Sequence, residues 1–223
     1  MAPRQMRRGF FITFEGPEGC GKSTQSRRLS RFLRSKGFPV VVSREPGGTR
    51  IGEAVRRLLL NSRNHFSPLV EVFLYELSRF ELVRQVIRPA LKEGKVAISD
   101  RFSDSTIVYQ GMAGGVPVGF IRRLDRKICS GVAPDLTFLL DVPVTQGLRR
   151  SFKKKGSLDR MEKKSLAFHR RVRNGYLTLC RKNAKRFRLI RNGSKQKIKK
   201  QIQNEVLRVL RRHPGTRKTG RAS

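Results

Sequence analysis

Residues 10–23 read Phe10-Phe11-Ile12-Thr13-Phe14-Glu15-Gly16-Pro17-Glu18-Gly19-Cys20-Gly21-Lys22-Ser23. Phe10 to Phe14 is a short apolar run of the kind a buried strand needs, and a turn with three glycines follows it. Lys22 to Lys36 then reads as a helix with Leu29, Phe32 and Leu33 on one face and Gly37 as its stop. The eight residues Gly16, Pro17, Glu18, Gly19, Cys20, Gly21, Lys22 and Ser23 complete the pattern Gly-x-x-x-x-Gly-Lys-Ser. Glycine lets the backbone curl and aim its N–H groups at phosphate oxygens, and the helix N-terminus adds a favourable dipole. Lys22 is expected to reach the β- and γ-phosphates of a nucleoside triphosphate, and Ser23 to offer its hydroxyl to Mg²⁺.

Outward from this loop, strand-like and helix-like runs alternate. Val40–Val42, Val96–Ser99, Leu136–Leu140 and Phe187–Ile190 supply four more strands. Helical patterns cover Glu53–Leu60, Pro68 to Gly94 with a kink expected at Pro89, Asp159–Lys182 and Lys195–Arg211. The expected fold class is α/β: a five-stranded parallel sheet flanked by helices on both faces. No repeat or linker divides it, so residues 10–212 are read as one domain, between a basic tail at 1–9 and a basic, disordered tail at 213–223.

Composition narrows the function. No apolar run approaches the roughly 18 residues of a membrane span. Arg7 and Arg8 before Phe10–Phe14 resemble the start of a signal peptide, but Glu15 interrupts the run and no small-residue cleavage site follows. Cys20, Cys129 and Cys180 are widely spaced and odd in number, which points to a reducing cytoplasm rather than a disulfide or metal framework. The net charge is +35, and residues 146–223 hold 27 basic and 3 acidic residues, net +24. Such a field attracts polyanions. Nucleic-acid binding is nevertheless not the favoured reading, because the basic residues interleave with apolar ones at helical spacing and no nucleic-acid module is present.

Three further groups of residues point to a second substrate. Asp100-Arg101 ends the third strand, and in a parallel sheet strand C-termini share one crevice. There Asp100 is expected to hold Mg²⁺ or its water, and Arg101 to grip an acceptor phosphate through two parallel hydrogen bonds. Arg44, at the end of the second strand, opens the loop Glu45-Pro46-Gly47-Gly48-Thr49 beside the same crevice. Arg149, Arg150, Lys153, Lys154, Lys155 and Arg160 surround Gly156, a flexible cationic stretch expected to act as a lid at about 149–160.

With these residues assembled, the chain resembles a bacterial thymidylate kinase from about Phe10 to Leu210. The resemblance rests on Phe14–Ser23, Arg44-Glu45-Pro46-Gly47-Gly48-Thr49, Asp100-Arg101-Phe102, Tyr109-Gln110-Gly111, Ala133-Pro134-Asp135-Leu136-Thr137, Leu140-Asp141-Val142 and Leu158-Asp159-Arg160-Met161-Glu162, in the family's order. It implies the P-loop, nucleoside monophosphate kinase fold, a homodimer, and transfer of the γ-phosphoryl group of ATP to dTMP with Mg²⁺. By position it makes Glu18 the acidic loop residue that orients the acceptor and its arginines, and Tyr75 the ring that stacks on thymine. Arg79 matches an arginine that contacts the base, and Ser105, Thr106, Tyr109 and Gln110 match the base-recognising segment. Lys22, Glu18, Arg101 and Arg150 are the expected catalytic groups; Arg44, Tyr75, Arg79, Arg101, Thr106, Tyr109 and Gln110 are expected to hold dTMP.

Two features depart from the family. Lys153, Lys154 and Lys155 stand at the tip of the lid, where relatives without an arginine in the loop carry a catalytic one, and lysine lacks the planar fork that bridges two phosphate oxygens. Nothing in the family's chemistry calls for a charge of +35. The competing readings are another nucleoside or nucleotide kinase of this fold and a nucleic-acid-associated P-loop ATPase.

Overall fold

Along the first strand, β1 (Phe10–Glu15), every residue is buried, and alternate side chains serve opposite layers. The computed structural model describes residues 9–191 and 193–213. Phe10, Ile12 and Phe14 face a layer built from Leu29 and Leu33 of α1 (Lys22–Ser35) and Ile202, Val206 and Leu210 of α9 (Lys195–Arg212). Phe11 faces the other layer with Leu82 of α3 (Pro68–Leu82), Val83 and Ile87 of a π-helical turn (Val83–Ile87), and Leu91 of α4 (Arg88–Lys92).

The other strands are β2 (Val40–Arg44), β3 (Val96–Asp100), β4 (Leu136–Leu140) and β5 (Phe187–Ile190). They pair in the order β2-β3-β1-β4-β5, all parallel, with β1 central. The apolar faces of β4 and β5 meet Val72 of α3, Ile121 of α6 (Val118–Cys129), and Phe168, Val172 and Tyr176 of α8 (Leu166–Lys182). Two helices complete the set, α2 (Arg50–Leu60) and α7 (Val144–Lys155), together with a single turn, α5 (Ser103–Thr106), that runs on into a second π-helical turn (Ile107–Met112). The sheet with helices on both faces is as expected.

Three local expectations change. The disturbance expected at Pro89 takes the form of a π-helical turn placed just before it. Ser151 to Lys155 continue α7, and Gly156 at φ 75° caps it, so the cationic stretch is helical rather than loose. The helix expected from Asp159 starts only at Leu166, because Ser165 caps it by accepting from the Phe168 N–H. The helical segments between Ser103 and Cys129 went unpredicted. Apart from Gly9 and His213, the two expected tails lie outside the described residues. Gly9 donates its N–H to Leu91, and the His213 ring sits edge-on to Phe10 at 5.0 Å.

One helix face is left uncovered. Leu69, Phe73, Leu77 and Phe80 of α3 repeat at helical spacing and are 40–51% exposed. Among the described residues no helix is long and apolar enough to cross a membrane.

Phe14 and Phe138, neighbours across β1 and β4, stack at 5.3 Å with no exposure. Phe138→Ala is expected to cost about 3–5 kcal/mol by leaving a cavity there. Urea unfolding would read this as a lower midpoint at unchanged slope.

Candidate active site

Parallel register brings three strand ends together: Phe14 lies beside Asp100, and Glu15 beside Leu139. The loop after β1, the Asp100-Arg101 pair and Asp141 therefore border one cleft of about 610 Å³. In the loop, Gly16, Gly19 and Gly21 adopt φ of 140°, 63° and 99°, the region glycine enters without strain. Close packing adds a second demand at Gly19, where a Cβ would lie 1.9 Å from the Gly147 carbonyl of α7. The Lys22 ammonium is buried within its own loop and donates to the Gly16 and Pro17 carbonyls at 3.0 and 2.9 Å. The Ser23 hydroxyl donates to Asp100 at 2.5 Å.

Arg101 has φ 74°, a conformation that costs a non-glycine residue about 1–3 kcal/mol. Its N–H donates to the Phe14 carbonyl at 2.9 Å, and its own carbonyl accepts from the Ser99 hydroxyl at 2.8 Å. Its guanidinium donates to Glu18 at 2.9 Å and to the Tyr109 hydroxyl at 3.1 Å; that hydroxyl in turn donates to Glu18 at 2.8 Å. Burial opposes charge on Glu18, but the Arg101 and Lys22 cations and the Tyr109 hydrogen bond prevail and hold its pKa at about 2.

The other expected residues divide into those that reach the cleft and those that do not. Arg44, Tyr75, Thr106, Tyr109, Gln110 and Arg150 line it with the loop residues Glu18 to Ser23. Arg44 is partly committed, since Glu53 takes its guanidinium at 2.9 Å and also accepts the Gly48 N–H. Gln110 donates to the buried Glu71 at 2.8 Å. Gly16 and Pro17 do not line the cleft; their carbonyls hold the Lys22 ammonium.

Arg79 does not line the cleft. It is wholly buried, donating to Glu45 and to the Thr106 hydroxyl at 2.8 and 2.9 Å and pairing with Glu76, with Asp125 at 3.5 Å. One guanidinium cannot neutralise three carboxylates, and burial with the residual repulsion pushes Glu45 up to about 8. Arg79 therefore stands behind Thr106 rather than beside it in the cleft wall.

Among the lid cations, Arg150 and Lys154 line the cleft, one helical turn apart on α7. Arg160 is instead buried against the Leu59 carbonyl at 2.7 Å and Glu71 at 2.5 Å. Sequence reading missed Arg56, which lines the cleft and donates to the Pro46 carbonyl at 2.9 Å. Burial, then the neighbouring Arg44 charge, lower its pKa. The available signal was its place in the helix that directly follows the Arg44 loop.

The contact between Gly147 and the loop is tight in both directions, because a Cβ on Gly147 would lie 2.2 Å from the Glu18 carbonyl. Gly147→Ala is expected to displace Glu18, to weaken use of both substrates at least about tenfold and to lower the melting temperature, since the clash is with backbone. Steady-state kinetics with a parallel thermal melt would check this.

Comparison with known proteins bears on the same residues. The family model for thymidylate kinase matches residues 14–214. A thymidylate kinase of Deinococcus radiodurans is 45% identical over 182 residues, covering 82% of this chain and 88% of that protein. One from a Thermoanaerobacter species is 39% identical over 206 residues, covering 92% and 99%. The crystal structure of thymidylate kinase from Ehrlichia chaffeensis superposes with a TM-score of 0.70 at 33% identity, covering 92% of this chain and 99% of that one. The phosphate loop, the Asp100-Arg101 pair at the end of β3 and these matches across nearly the whole sequence agree, and the chain belongs to the thymidylate kinase family.

Proposed function

We propose that the chain transfers the γ-phosphoryl group of ATP to dTMP, giving dTDP and ADP. The observation that carries this reading is the joint position of Lys22 and Arg101 on one cleft, with Glu18 ion-paired to Arg101. A phosphate oxygen of dTMP attacks the γ-phosphorus, and the bond to the β–γ bridging oxygen breaks. The acceptor is already an anion, so no strong general base is needed, and alignment and charge neutralisation supply the catalysis.

In this reading Lys22 binds the β- and γ-phosphates and Arg101 the acceptor phosphate. Glu18 holds Arg101 in register between them, and Arg150, with Lys154 beside it, neutralises charge from α7. Tyr75, Thr106, Tyr109 and Gln110 are left to hold the nucleoside, with Arg79 acting through Thr106. Ser23 and Asp100 offer oxygen ligands that suit Mg²⁺, which takes most of its shell from phosphates and water. When bound, Mg²⁺ would neutralise phosphate charge. Among the described residues no group of three or more His, Cys, Asp or Glu could hold a metal ion. The three unpaired cysteines support a cytoplasmic setting.

The uncovered stripe of Leu69, Phe73, Leu77 and Phe80 supports pairing of two copies through α3. Light scattering is expected to give twice the chain mass, and Leu77→Glu, which places a charge in the stripe, a single chain mass.

The direct test is a coupled assay with ATP-Mg²⁺ and a panel of dTMP, thymidine, UMP and GMP. Turnover is expected with dTMP, and efficient turnover of the others with none of dTMP would overturn the reading. Lys22→Ala should lower kcat at least about a hundredfold. Arg101→Ala should raise KM for dTMP far more than for ATP.

A further inference from the structure

Arginine carries five N–H donors and no acceptor. On the side of Arg101 turned away from Tyr109, one nitrogen donates to the Tyr176 hydroxyl at 3.0 Å, the Ser105 hydroxyl at 3.1 Å and the Gly16 carbonyl at 3.2 Å. The two hydroxyls lie 2.8 Å apart and both reach one oxygen of Glu15, Ser105 at 2.7 Å and Tyr176 at 3.0 Å. The other Glu15 oxygen accepts the Phe102 N–H at 2.8 Å. Glu15 and Tyr176 are both wholly buried, and neither lines the cleft.

The hydrogens in this cluster have a forced direction. A carboxylate only accepts, an arginine only donates, and a hydroxyl between them has one hydrogen to give. Whether the Tyr176 hydrogen goes to Ser105 or straight to Glu15, the carboxylate is the terminal acceptor. The hydroxyl lone pairs are thereby left facing Arg101. We propose that Glu15 and Tyr176, through the Ser105 hydroxyl, are positioning residues that fix the Arg101 guanidinium for its work on the acceptor phosphate. This rests on the role given to Arg101 above.

The surroundings make the device sensitive to pH. Burial, and then the negative charge of Asp104, push Glu15 up to about 7, against the pull of Arg101, Ser105 and the Phe102 N–H. Asp104 is itself held by Arg186 at 2.7 Å, while Tyr109 and Glu18 face the opposite side of Arg101. Above about 7 the carboxylate orders both hydroxyls. Below it, the protonated acid donates to one of them and competes with Arg101 for its lone pairs. The acceptor binds more weakly there.

Tyr176→Phe removes one hydroxyl and keeps the ring. KM for dTMP is expected to rise about tenfold, the loss of one hydrogen bond to a charged group, with KM for ATP unchanged. The carboxylate loses a donor, so the acid limb of the dTMP profile should move to higher pH. Glu15→Gln should abolish that limb and leave only the one set by the phosphate of dTMP. An unchanged KM and an unmoved limb in active, folded Tyr176→Phe would overturn the proposal while leaving the kinase reading intact. A second measurement needs no turnover: the ¹³C shift of the Glu15 carboxyl, followed against pH, should titrate higher in Tyr176→Phe than in the unmodified chain. Equal titration would overturn the relay, and Ser105→Ala gives the same comparison if Tyr176→Phe does not fold.

Discussion

The flanking of β1 by β3 and β4, all three parallel and in register, is the constraint on which the site depends. Parallel pairing sends the chain out of every strand at the same edge, so residues far apart in sequence leave the sheet within a few ångströms of one another. Glu15, Asp100 and Leu140 are the last residues of their strands, and the phosphate loop, Arg101 and Asp141 are the first beyond them. A slip of one residue would turn each of these side chains to the other face of the sheet. The stacked Phe14 and Phe138 and the helices on both faces hold the register by burying the alternation along β1.

Charge is placed on this frame with little water to screen it. Arg101 is gripped on one side by Glu18 and Tyr109 and on the other by hydroxyls tied to Glu15, and Arg79 sits among Glu45, Glu76 and Asp125. Buried ion pairs of this kind add little net stability, but they fix geometry, and removal of one partner strands the other. That suits phosphoryl transfer, in which catalysis is chiefly a matter of where fixed charges stand.

The strands and the phosphate loop were legible because each leaves a local mark: an apolar run, a glycine turn, a charged residue at a strand end. The α7 helix was less so, since a cluster of lysines near a glycine looks the same in a helix as in a loop. The resemblance puts Arg79 at a base contact, but a sequence does not reveal that Glu45 and Asp125 from other segments will join Glu76 of its own helix around it. Tyr176 was invisible for a related reason: within an apolar helix pattern it has the look of a core aromatic, and its hydroxyl gains meaning only when α8 meets the end of β1. Arg56 was hidden in the same way, as one basic residue among 51.

The backbone contact between Gly147 and the phosphate loop constrains mechanics as well as packing. The first turn of α7 is packed against the loop, so any swing of this helix that keeps the contact has its fulcrum beyond residue 147. Arg150 and Lys154 ride only about 4 and 10 Å further along the axis. On so short a lever arm a small tilt moves them by an ångström or so, enough to change their hold on a phosphate yet too little to open a broad door. With that contact kept, passage of nucleotides through the cleft falls to compliance elsewhere along its rim.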